Sequence, residues 1–273
     1  MGDPAAPRLL CIGAHPDDCE IQTAGLTALW TGAGGVARFL AMTDGGGGHQ
    51  RLGGAALVQM RREEARAGAA AVGADSVVFD NADGSLMPTL ENRQRVIRAV
   101  REFAPDVIVT HRTNDYHPDH RYTGVCVQDA CYMVKVPNVL PSVPVVQREP
   151  VVLFMSDKFT KPNPISPDLV FDLDAVIERK VDAVVSHASQ MGEWLPWIDG
   201  YESELPADPD ERSKYLRERA TWGSAAQADR FRDALVAKYG AERGGAVRFA
   251  EAYEVSEYAA PLTPDRASRL FPF

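Results

Sequence analysis

Two tetrapeptides, His15-Pro16-Asp17-Asp18 and His117-Pro118-Asp119-His120, set imidazoles and carboxylates at matching offsets around a proline. If each proline takes the first position of a helix, where its missing N–H costs nothing, the histidine before it becomes the N-cap. Residues three apart then share a helical face, which joins His15 to Asp18 and, separately, His117 to His120. Asp17 is rotated away by about a quarter turn or more, at roughly 3.6 residues per turn. It addresses something beside the shared face.

Imidazole and carboxylate donors from two such turns suit a divalent metal held by three protein ligands with one position left open. Zinc in that setting lowers the pKa of its water towards about 7. A neighbouring carboxylate can then take the proton, and a further histidine can stabilise an oxyanion or protonate a leaving amine. Helix N-termini favour the charged form of the carboxylates. One such triplet after a strand is more often a cap than a ligand; two at equivalent places favour the metal. Two histidines and a carboxylate also form the facial triad of non-haem Fe(II) oxygenases. Such enzymes have no need of the additional acid–base pair, Asp17 and His117. A non-catalytic ligand-binding module on the same scaffold is the third reading.

The elements around the tetrapeptides alternate. Arg8–Ala14 reads as a strand buried on both faces, followed by a helix from about Pro16 to Thr31. Val36–Thr43 is a second strand, and a helix from about Ala55 to Val72 follows the glycine-rich DGGGGHQRLGG. Ser76–Asn81, a helix over Thr89–Phe103 and the strand Val107–Thr110 complete the first half. This order predicts an α/β fold, a doubly wound, mostly parallel sheet with helices on both faces. Ligands in such sheets sit at the carboxyl ends of the strands, where both tetrapeptides fall.

The second half is less regular. Prolines crowd residues 137–167, leaving Val151–Ser156 as the clear strand. Leu169–Leu173 reads as another strand, and Ala175–His187 as a helix capped by Asp174. Residues 191–211 read as a long loop, Asp210 to Tyr239 are rich in helix formers, and AVRFAEAYEV (246–255) reads as a closing strand or helix.

The chain has 273 residues and a formal net charge of −9, with 45% hydrophobic and 25% charged residues. That length hides roughly 75% of the unfolded surface, so stability alone asks for no metal. The acidic balance argues against nucleic acid as a partner. Cys11, Cys19, Cys126 and Cys131 form no CxxC pair, which fits reduced thiols in a cytoplasm. The start MGDPAAPRLL lacks the features of an export signal and of myristoylation, and no apolar run approaches the roughly 20 residues of a membrane span.

At the tetrapeptides the chain resembles the PIG-L/LmbE-like family of zinc-dependent N-acetylglucosaminyl deacetylases. The resemblance rests on AHPDDCE (Ala14–Glu20), MTDGG (Met42–Gly46), MRREEA (Met60–Ala65), DYHPDH (Asp115–His120) and RKVDAVVSHASQ (Arg179–Gln190). It implies a Rossmann-like fold in one domain, 1–273, with a core over 1–136 and the remaining strands, helices and substrate-lining loops over 137–273. It further implies Zn2+, or Fe2+, held by His15, Asp18 and His120. Asp17 would be the general base, His117 the group that stabilises the oxyanion and assists amine departure, and Asp119 the carboxylate orienting His117. Arg61 and Asp83 stand at substrate positions. Cys19 before Glu20 matches the HPDDxE branch, which includes bacillithiol-pathway deacetylases. The implied substrate is a small N-acetyl amino sugar or its conjugate, and family members are often homo-oligomers.

Other residues carry weaker signals. Cys19 should turn away from the ligands as a buried thiol, and DGGGGH reads as a flexible loop at the site, with His49 solvated or touching substrate. His111 reads as a structural rim residue and His187 as helix packing or part of the site. Trp194, Trp197 and Tyr201 could stack on a sugar face or pack in the core.

Overall fold

The computed structural model describes residues 6–273. The reading of the extreme N-terminus falls partly on residues 1–5, outside the described residues.

Five strands run parallel in the order expected of alternating units: β1 (Arg8–Gly13), β2 (Val36–Thr43), β3 (Ala74–Asn81), β4 (Val107–Thr110) and β5 (Val151–Met155). With β6 (Leu169–Asp172) and β7 (Ala250–Val255) they form one sheet ordered β3-β2-β1-β4-β5-β7-β6. β7 is antiparallel to both neighbours, β5 and β6. Helices α1 (Asp18–Gly32), α2 (Gly54–Ala71), α3 (Leu90–Phe103) and α4 (Pro118–Met133) follow β1 to β4 in turn. Beyond β6 come α5 (Ile177–Val185), a π-turn (Gln190–Trp194) and α6 (Leu195–Ile198). A 3-10 turn (Glu202–Glu204), α7 (Pro209–Arg230), α8 (Arg232–Tyr239), α9 (Ala241–Ala246) and, after β7, α10 (Pro264–Leu270) complete the chain.

The unbroken apolar run of β1 splits by strand alternation. Leu9 and Cys11 pack on one face with residues of α1 and α2, and Leu10 and Ile12 on the other with α3 and α4. Each fully buried leucine contributes about 1.5–3 kcal/mol relative to exposure. The order reverses between β1 and β4, because β2 and β3 extend one way and β5 the other. The turns after β1 and β4 therefore open into the same crevice, and each carries one tetrapeptide.

Three expectations are corrected. The first helix begins at Asp18, not at Pro16, so His15 is not its N-cap. Asp17 precedes the helix at φ 151°, which non-glycine residues avoid at a cost on the order of 1–3 kcal/mol. Asp174 does not cap α5, which starts at Ile177. Its carboxylate instead accepts the N–H groups of Arg248 and Phe249 on the approach to β7. Residues 191–211 are not a structureless loop but fold into the π-turn, α6 and the 3-10 turn. The 246–255 segment resolves as strand β7, and Asp208 caps α7 through the N–H groups of Asp210 and Glu211.

A buried polar knot ties the late strands to the first helix. Glu251 of β7 accepts from the N–H groups of Gly25 and Leu26, from Lys180 Nζ at 2.7 Å and from the Tyr253 hydroxyl at 2.7 Å. Gly25 is required there, since a Cβ would stand 2.4 Å from the Leu173 side chain and 2.8 Å from Glu251 Oε1.

Candidate metal centre and active site

The second tetrapeptide folds as expected. His117 is the N-cap of α4, Pro118 opens the helix, and His117 Nδ1 accepts the N–H of Asp119 at 3.2 Å. The first reaches the same vertex differently. Asp18 begins α1 and folds back, its Oδ2 accepting the N–H groups of Ala14 at 2.9 Å and His15 at 2.7 Å. Gly13 makes room for this, because a Cβ there would lie 2.7 Å from that of Asp18.

Donor atoms of three residues converge, the two histidines facing different oxygens of Asp18. His15 Nδ1 is 3.4 Å from Asp18 Oδ2, His120 Nε2 is 3.3 Å from Asp18 Oδ1, and the two imidazole nitrogens are 3.3 Å apart. Tetrahedral zinc with bonds of about 2.0–2.1 Å spaces its ligand atoms by about 3.3–3.4 Å. The separations are of that size, and His15, Asp18 and His120 each belong to a group of side chains close enough to share an ion: His15 with His117 and His120, and Asp18 with His111 and His120. The other nitrogen of each histidine faces carboxylate. His120 Nδ1 is 3.1 Å from Asp115 Oδ1, and His15 Nε2 is 3.2 Å from Asp83 Oδ1 and 3.4 Å from Asp119 Oδ2. Carboxylates behind metal-binding histidines fix the ring and free the opposite lone pair. The contacts of His15 Nε2 are close in distance but lack hydrogen-bond alignment.

The electrostatics point the same way. Burial opposes charge on His15, yet Asp119, Asp18 and Asp83 outweigh it and hold its pKa well above the ordinary value. Burial likewise opposes charge on His120, but Asp18 and Asp115 raise it to about 9. Against the effect of burial, His120 and His111 hold the Asp18 carboxyl well below the usual range. A cluster that draws protons onto its imidazoles is one in which a cation can take their place.

Around this group stand the other expected residues. Asp17 Oδ2 lies 3.3 Å from Arg61 Nη2, and Arg61, only 2% exposed, also donates to the Pro16 carbonyl. Burial raises the Asp17 carboxyl above its usual range despite Arg61. His117 packs edge-on against His15, with ring centroids 4.6 Å apart. Burial, then the neighbouring His15 and His120, push its pKa down. Asp119 meets His117 through its backbone N–H; its carboxylate accepts from Gly84 N at 2.8 Å and Leu86 N at 3.2 Å, facing His15. Asp83 accepts from Gly47 N at 3.1 Å, which ties the glycine-rich loop to the site.

Several weaker readings change. His111 is no mere rim residue: its Nε2 is 3.2 Å from Asp18 Oδ2, and its ring stacks on His120 at 4.2 Å. Asp115, quoted in DYHPDH without a role, supports His120, and its i, i+5 spacing gives no helical signal. His49 is buried, its Nδ1 accepting from Arg51 and Leu52 N–H and its Nε2 3.2 Å from Glu193. Cys19 is buried with its thiol directed at the Cys11 carbonyl, and His187 lies 3.3 Å from Glu20 inside the protein. Trp194 and Trp197 stack on each other, and Tyr201 lies under the Arg219 guanidinium.

Residues 10–131, from β1 through most of α4, match the PIG-L family model, GlcNAc-PI de-N-acetylase. Over those residues the chain is similar to the PIG-L family. Diacetylchitobiose deacetylase of Thermococcus kodakarensis is 29% identical over 207 residues, 70% of this chain and 74% of the relative. 4-Oxalmesaconate hydratase of Pseudomonas putida is 24% identical over 193 residues, 68% of this chain and 74% of the relative. Among solved structures, N,N'-diacetylchitobiose deacetylase from Pyrococcus horikoshii superposes with a TM-score of 0.71 at 20% identity, covering 93% of this chain and 85% of that one. The PIG-L match spans both tetrapeptides, and the shared fold extends past it through β5, β7 and β6.

Proposed function

We propose that this chain is a metal-dependent amide hydrolase that removes the acetyl group from an N-acetylated amino sugar or its conjugate. The observation that carries the reading is the approach of His15, Asp18 and His120 to within 3.3–3.4 Å of one another, with Asp17 and His117 beside them. The deacetylase relative supports it.

His15, Asp18 and His120 would hold the ion, for which we propose Zn2+, since their imidazole and carboxylate donors suit it. A bound divalent cation supplies Lewis-acid polarisation of the amide carbonyl and lowers the pKa of a water. Asp17 accepts the proton of the attacking water, and its burial makes it a stronger base than an exposed aspartate. Arg61 keeps that carboxylate in place. His117 has Nδ1 occupied by the Asp119 N–H, so in its neutral form the proton sits on Nε2. From there it stabilises the developing oxyanion and serves the departing amine. Asp119 and Asp83 set negative charge beside His15 Nε2, and we assign substrate contact to Asp83, with the buried Arg61 acting through Asp17. We further propose a cytoplasmic setting, a reading that the four free cysteines support. No helix among the described residues is long and apolar enough to cross a membrane.

The hydratase relative favours one second reading, addition of water to a carbon–carbon double bond. The comparisons lend no support to the Fe(II) oxygenase reading. The test is acetate release from a panel of N-acetylglucosamine conjugates with Zn2+ supplied, together with Asp17→Asn. Deacetylation by the wild type is expected, with kcat in the variant lower by about 10²–10⁴-fold while metal content is kept. Absence of acetate from every sugar conjugate, with hydration of an unsaturated acid, would transfer the protein to the second reading.

A further inference from the structure

Beside the metal centre lies a cleft of about 380 Å³ that the chemistry above does not use. One wall is Asn114–Tyr116, the segment leading into the second tetrapeptide, and the other is Lys158–Lys161, on the turn after β5. The cleft joins the site directly. Asp115 lines it while supporting His120, and the Tyr116 ring centroid is 5.7 Å from that of His117 and 5.6 Å from that of His120.

The lysine-bearing turn is built rigidly. Arg112, buried at the end of β4, grips both oxygens of Asp157 at 2.7 Å and donates to the carbonyls of Asn163 and Phe159. Phe159 N–H donates to Asp157 Oδ1 at 2.9 Å, and Asn114 Nδ2 reaches the Lys161 carbonyl at 3.4 Å. The nearby carboxylates are already engaged: Asp157 by Arg112, and Asp115 Oδ1 by His120 and the His117 N–H.

The two lysines are not. Lysine ion pairs among the described residues join Lys135 to Glu149 and Lys180 to Glu251, so Lys158 and Lys161 enter none. The chain has six lysines and a net charge of −9, yet two of the six stand three residues apart on one lip of this cleft. Between them Phe159 sits 6.1 Å from the Tyr116 ring. An unpaired ammonium pair is a ready receptor for phosphate or carboxylate, and the two rings offer apolar area to a sugar or chain leading to it.

We propose that this cleft is a subsite for an anionic group, phosphate or carboxylate, on the part of the substrate attached to the amino sugar. Lys158 and Lys161 hold the anion, and Tyr116 and Phe159 pack on the atoms that link it to the sugar. The substrate class narrows from N-acetyl amino sugars to their anionic conjugates; this rests on the deacetylase reading. A neutral second sugar would use the rings but leave both ammonium groups unanswered.

Acetate release by the Zn2+-loaded chain is measured on N-acetylglucosamine 1-phosphate, the carboxymethyl glycoside and the neutral methyl glycoside. Binding of glucosamine 1-phosphate to the metal-free chain is measured by calorimetry. One anionic substrate should exceed the neutral one by about tenfold in kcat/KM, mainly through KM, and the advantage should fade with added salt. Which of the two leads identifies the anion. The double variant K158M/K161M should bring the anionic KM to that of the methyl glycoside and weaken glucosamine 1-phosphate binding about tenfold, with K158R/K161R restoring part of both. Equal kcat/KM for charged and neutral substrates in the wild type overturns the subsite and leaves deacetylation standing. Acetate from none of them, with phosphate binding still dependent on the lysines, upholds the subsite and removes the deacetylase reading. Binding unchanged in the double variant overturns the subsite by itself.

Discussion

A single oxygen, Oδ1 of Asp115, accepts the backbone N–H of His117 at 2.9 Å and lies 3.1 Å from Nδ1 of His120. One carboxylate thus fixes the start of α4 and the orientation of a proposed ligand. With the Nδ1 proton directed at Asp115, the lone pair of His120 Nε2 points at Asp18 and His15.

Asp115→Asn keeps an oxygen for the His117 N–H but removes the charge behind His120. Zn2+ affinity should fall by about 10–100-fold. Competition with a chromophoric chelator reads the change directly, and thermal denaturation of the metal-free variant checks that α4 still forms. An unaltered dissociation constant would mean that the 3.1 Å contact does not tune the ligand.

A second prediction concerns the core rather than the site. Lys180 and Glu251 are 2% and 0% exposed in their side chains, 2.7 Å apart. Lys180→Met fills much of the same volume but leaves a buried carboxylate without its counter-charge. Loss of one partner of such a pair costs about 3–5 kcal/mol. Urea denaturation should show a lower midpoint with an unchanged slope, and adding Glu251→Gln should recover part of the loss. A variant as stable as the wild type would indicate that the amides of Gly25 and Leu26, with the Tyr253 hydroxyl, suffice for Glu251.

The sequence made the parallel half of the sheet legible because buried strands such as RLLCIG and VIVT are too apolar to read otherwise, and because helical periods separate them. It also marked the tetrapeptides, whose residue types have few other uses in combination. What it hid depends on tertiary contact. Asp17 at φ 151° has no local signature, since aspartate does not announce a positive φ as glycine does. His111 follows a strand as many residues do, and only the parallel pairing of β1 with β4 brings it to Asp18. Asp174 looked like a helix cap because aspartate suits that position; the amides of Arg248 and Phe249, some seventy residues on, claimed it instead. β7 inserts antiparallel between β5 and β6, a pairing across about a hundred residues that no local pattern encodes.

The last prediction follows from the thiols. Burial pushes Cys11 and Cys131 up to about 12 and Cys126 to about 11, and it holds Cys19 well above its usual value. The reactive thiolate is therefore scarce in the folded protein at neutral pH. A disulfide-exchange reagent at pH 8 should label none of the four cysteines in the native chain and all four in denaturant. Above the ordinary thiol pKa of 9.0 the unfolded chain releases protons that the folded chain retains up to about 12. These groups therefore make stability fall as pH rises through that window. Substituting Cys131 with Ala should flatten part of that alkaline slope at an independent cost in packing. Rapid labelling of any thiol in the native protein at pH 8 would show that its surroundings open on the timescale of the reaction, contrary to the close packing of both faces of the sheet.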